Sequence, residues 1–242
     1  MEPRDVDVEP PTPELLLRMS RSVLACPITD LPPTPVTQLA IGWLRAAHDQ
    51  MGAIAELIVA GRNSAIAPNA RCFSELAIRL IWLHEVEDRS TVMPSLVEHE
   101  RTLAEKHVTH SEAMGVTVEI DEDLKNLVLE DLGTIDSSLA SQARAVVDAA
   151  KAATHAGGIY QLWQYSTQFT HATTQLAIDW ARVAERTAFV DSVPDRDWVA
   201  AVHLTSILVA TFVGRILEDE GATKEQSLRF MAATIDGLAP EN

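Results

Sequence analysis

The chain has 242 residues, 47% of them apolar, enough to fill one hydrophobic core near the upper size limit of a single domain. Its 19 basic and 35 acidic residues give a net charge of −16, a field that repels phosphate backbones and disfavours nucleic acid as a partner. Two cysteines, Cys26 and Cys72, are too few for a disulfide framework and read as small core residues of a cytoplasmic protein.

The opening MEPRDVDVEPPTPE lacks the basic and apolar regions of a secretory signal, so residues 1–11 read as a disordered tail and 12–242 as one helical domain. Thr12-Pro13-Glu14 has the order N-cap, N1, N2 and predicts a first helix to Cys26, stopped by Pro27. Thr34-Pro35 repeats the signature and opens a long helix whose apolar residues recur at helical spacing until Gly61. A third helix is predicted over 67–87, and a fourth over 91–114, closed by Gly115.

Asp121 reads as the N-cap of a helix to Thr154, with Gly133 as a candidate break. Gly157-Gly158 resets the chain before a helical stretch to Phe189, either one helix or two meeting near His171. Asp195 is the expected cap of the apolar segment Trp198–Leu217, which reads as a core helix rather than a membrane span because of His203, Thr205, Ser206 and Thr211. Thr223 and Gln226 form a capping box for the last helix. The sum is an all-α, single-domain bundle of seven to nine helices, an architecture that builds its sites from side chains on facing helices.

Two helices carry polar residues that ask for a reason. At 100° per residue, Arg71, Glu75, Arg79 and Trp82 form one stripe on an otherwise apolar helix. On a solvated face, Arg71 and Glu75 would be an ordinary i,i+4 pair. In the segment from Tyr160 to His171, Tyr160, Gln164, Thr167, Gln168 and His171 share one side. Ser166 and His171 point about 140° apart, which disfavours a Ser-His nucleophilic pair on a regular helix. A core helix satisfying its own hydrogen bonds is the plainer alternative.

R-x-x-x-E on an apolar helix followed by Y-S-x-x-x-x-H, here Arg71, Glu75, Tyr165, Ser166 and His171, resembles an uncharacterised family of bacterial helical proteins. That resemblance implies that the two helices face each other, with Arg71 and Glu75 near His171. Arg79 and His84 have the R-x4-H spacing and resemble the HEPN superfamily, whose members include toxin and phage-defence ribonucleases. Leu80 departs from that motif, which usually has a polar residue after its arginine, and the two side chains point about 140° apart.

His99, His107 and His110 share an arc of the fourth helix and could ligate a metal, but no paired Glu-x-x-His supports a di-iron centre. No metal and no cofactor are therefore expected. Phosphate-cradling glycine loops and nucleophile elbows are also missing from the sequence. The leading expectation is an interior site for a small polar or anionic ligand. In it Arg71, Arg79, Tyr165 and Ser166 bind, and Glu75 and His171 carry protons. The alternatives are a HEPN-like nuclease using Arg79 and His84, and a structural protein without catalysis; a homodimer is left open.

Overall fold

The computed structural model describes residues 10–117, 137–171, 173–184, 188–190 and 197–237. The fold is an all-α bundle, with ten helices among the described residues: α1 (Pro13–Leu24), α2 (Pro35–Val59), α3 (Ala67–Glu85), α4 (Val92–Ala113), α5 (Ser137–Arg144), α6 (Val146–Ala152), α7 (Gly157–Thr170), α8 (Thr174–Trp180), α9 (Val199–Asp219) and α10 (Lys224–Asp236).

Local chemistry sets most of the ends. The hydroxyls of Thr12 and Thr34 accept the N–H groups of Leu15 and Thr37, and each is followed by a proline whose missing N–H costs the helix nothing. Thr223 and Gln226 satisfy each other's backbone donors as a complete capping box. Gly61 and Gly115 follow α2 and α4 with φ of 67° and 74°, a left-handed conformation that costs a glycine little.

Three expectations are revised. The helix predicted through Phe189 ends at Trp180, and Arg182–Ala184 pairs antiparallel with Ala188–Val190 in a short hairpin. Val183, Phe189 and Val190 are strand-favouring residue types, and helix propensity is a weak prior against backbone pairing. The helix predicted to Thr154 is divided at Ala145, which is extended (φ −124°, ψ 121°). Asp121, Gly133 and Asp195 lie outside the described residues; the carboxylate that meets the start of α9 is Asp197, which accepts the Val199 N–H at 3.0 Å. Cys26 packs half-buried against the edge of the core, but Cys72 is exposed and not a core residue.

α3 is the central element, packed against α2, α6, α7 and α9. Its apolar arc supplies Ala77, Ile78, Leu80, Ile81, Trp82 and Leu83 to the larger hydrophobic cluster, together with Leu44 of α2 and Val213, Ile216 and Leu217 of α9. A second cluster gathers Leu16, Met19, Met51, Ile54, Phe73 and Val202 around the opposite stretch of α2. α9 is long and apolar enough to cross a membrane, and 56% of its apolar window is buried against the other helices. α10 closes on α9 where Gly214 lets the backbone approach: a Cβ there would stand 2.8 Å from the Ser227 carbonyl oxygen.

Candidate functional site

The charged stripe of α3 runs into the interface with α7 and α5. Arg79, only 8% exposed, donates from Nη1 to the Gln142 carbonyl at 3.0 Å, and its guanidinium lies 5.9 Å from the Trp82 ring. Trp82 donates its indole N–H to the Gln142 side-chain oxygen at 2.6 Å, so one glutamine of α5 anchors both α3 residues. Burial lowers the pKa of Arg79, opposed by the nearby Glu75 carboxylate, and an arginine still stays charged after a modest shift.

Two turns toward the start of α3, the half-buried Arg71 stacks its guanidinium 5.6 Å from the centre of the Trp163 ring of α7. The Arg71 Nε and the Trp163 Nε1 are both buried, and neither donates a hydrogen bond among the described residues. An unmet buried donor costs on the order of 1–3 kcal/mol, so each of the two N–H groups favours an acceptor. Tyr160 stacks on the same indole, with ring centres 5.6 Å apart. Glu75, half-buried between the two arginines, makes no hydrogen bond or ion pair among the described residues.

The α7 residues singled out by the sequence behave differently from one another. Ser166 is fully buried, and its hydroxyl is engaged with the Leu162 and Trp163 carbonyls one turn back, at 3.0 Å each. Tyr165 is 45% exposed and packs against Phe169 and Trp198. His171 is the exposed, extended residue that ends α7, and no hydrogen bond or ion pair joins it to Arg71 or Glu75 among the described residues. The packing of α3 on α7 thus brings Arg71 to Trp163, while Arg79 of the same stripe reaches α5, and Ser166 and His171 make no hydrogen bond to the stripe among the described residues.

Comparison with family models, with curated proteins and with solved structures finds no match. The site is therefore read from its own geometry. Arg79 and His84 do not converge: the first reaches α5, and the second stacks on Phe212 of α9 with ring centres 4.5 Å apart. Burial lowers the His84 pKa, and Arg89 and Arg215 lower it further. His99 faces Arg79 and Arg144 closely enough that burial and both cations lower its pKa, surroundings hostile to a metal ion. His107 and His110 are exposed, and no group of three potential metal ligands occurs among the described residues.

No sequence motif singles out Trp163 or Gln142 as site residues. The aromatic signal for the first was visible. The second reaches α3 from 63 residues away, a pairing no local spacing encodes.

Proposed function

We propose that the seam between α3 and α7 binds a small oxyanion, a carboxylate or phosphate, with Arg71 as its anchor. The observation that carries this reading is the pair of buried, unpartnered donors, Arg71 Nε–H and Trp163 Nε1–H, on two side chains that stack across the α3–α7 interface. An acceptor oxygen between them would satisfy both, and a charge-assisted bond to a guanidinium is about twice as strong as a neutral one. Arg71 and Arg79 share the α3 stripe with a single carboxylate, Glu75, so a local positive field stands within a chain of net charge −16. Arg71 is half-exposed, which leaves an approach from solvent.

Binding is supported better than turnover. The proton carrier expected from the sequence, His171, lies exposed at the end of α7, and Ser166 spends its hydroxyl on its own helix. The test is thermal unfolding in rising inorganic phosphate and, separately, benzoate. A ligand at 100 times its Kd stabilises by about 2.7 kcal/mol, so saturable stabilisation is expected for the wild type and for His171→Ala. Arg71→Met keeps the stem over Trp163 and removes the donors, so it should abolish the effect. Equal stabilisation of Arg71→Met would overturn the proposal.

A further inference from the structure

One histidine outside the seam is held by a carboxylate. The turn between α6 and α7 is pinned by buried Ala153 and Ala156, which leaves Thr154 and His155 exposed between them. Glu85, the last residue of α3, grips that turn. Its Oε2 accepts the Thr154 N–H at 2.5 Å, and its Oε1 accepts the His155 N–H at 3.3 Å and meets the His155 Nδ1 at 2.6 Å.

Burial raises the Glu85 pKa, but the bonds from the His155 ring and the two amides outweigh it and hold the carboxyl below its usual value. An ionised carboxylate only accepts, so in the neutral imidazole the ring proton sits on Nδ1 and the lone pair on Nε2. The imidazole is thereby fixed in tautomer and direction, as carboxylate partners fix ligating and nucleophilic histidines. Its side chain is 61% exposed, so a reagent can reach it.

The surrounding charges leave one cation uncommitted. The rings of His84 and His155 both pack on Phe212, at 4.5 and 5.7 Å, and the Arg215 guanidinium stands 6.0 Å from the same phenyl ring. Asp219 is paired with Arg89 at 2.7 Å, and Glu218 accepts the Ser227 hydroxyl. Glu85 is committed to the turn. Arg215 is exposed and makes no hydrogen bond or ion pair among the described residues.

We propose that His155 is a phosphoryl-accepting histidine, aimed by Glu85, with Arg215, which packs on the same Phe212 ring, as the holder of the phosphoryl oxygens. With a phosphoramidate donor, the Nε2 lone pair forms the new N–P bond as the P–N bond to the leaving amine breaks. The amine departs as ammonia with the protons its nitrogen already carries. The Nδ1 proton stays shared with Glu85, whose negative charge offsets the positive charge that develops on the ring. This proposal is independent of the α3–α7 seam, which contains neither residue.

The experiment is incubation of the full chain with potassium phosphoramidate, followed by phosphorus NMR and peptide mapping under alkaline conditions. The exposed His107, His110 and His171 are internal controls. His155 should be labelled several-fold faster than any of the three. Arg215→Gln, an exposed substitution, should slow labelling at His155 several-fold and leave the controls unchanged. Glu85→Gln should also slow it, with circular dichroism checking that the helices persist. Labelling of His155 at the controls' rate, no labelling, or an Arg215→Gln rate equal to wild type would each overturn the proposal.

Discussion

Acid should destabilise the protein through one buried imidazole, His48. It is fully inaccessible in α2; its Nδ1 meets the Leu44 carbonyl at 2.9 Å, and its Nε2 has no partner. Burial drives its pKa down from 6.5 to about 4, against a smaller opposing effect of the Leu44 carbonyl. The unfolded chain therefore takes up a proton below pH 6.5 that the folded chain refuses until pH 4. Stability is complete above pH 6.5, falls as pH drops toward 4, and then levels. At 1.36 kcal/mol per unit the whole loss is about 3 kcal/mol, of which about 2 kcal/mol has gone by pH 5. His84, His99 and His203 are shifted in the same direction, so the contribution of His48 is isolated by comparison with His48→Leu. Urea unfolding at pH 7.5, 6, 5 and 4 should show the wild type losing about 2 kcal/mol more than the variant between pH 7.5 and 5. Parallel profiles for the two proteins would refute the reasoning, whatever their absolute stabilities.

Other consequences are local. Gly214→Ala places a methyl against the Ser227 carbonyl and should cost about 1–3 kcal/mol by overpacking, read as a lower Tm in calorimetry. Thr223→Ala removes the capping box of α10 and should cost about 1 kcal/mol, visible in urea unfolding. Trp82→Phe keeps the ring but strands the Gln142 side-chain oxygen and should cost roughly 1–3 kcal/mol in the same measurement; an unchanged midpoint would mean that this oxygen finds another donor.

The elements legible in the sequence were those whose cause is local. Thr12-Pro13, Thr34-Pro35 and Thr223 with Gln226 satisfy orphaned amides within one turn, and Gly61 and Gly115 release the chain after it, so spacing alone reveals them. The hairpin after Trp180 and the break at Ala145 depend on partners and packing elsewhere, where periodicity says nothing. The charged stripe of α3 was visible as a stripe, but its burial depends on α5 and α7. The pairing of Glu85 with His155 joins residues 70 apart through a turn, and neither residue breaks a helical pattern that would draw attention to it.

Proton–nitrogen correlation NMR observes both donors of the seam directly. In labelled protein, with the indole signal assigned through Trp163→Phe and the guanidinium signal through Arg71→Lys, the Trp163 Nε1–H and Arg71 Nε–H resonances should move downfield together and saturate at one phosphate or benzoate concentration. The other four indoles should stay in place. Resonances of Trp163 and Arg71 that remain unmoved at concentrations shifting other sites would contradict an oxyanion-binding seam.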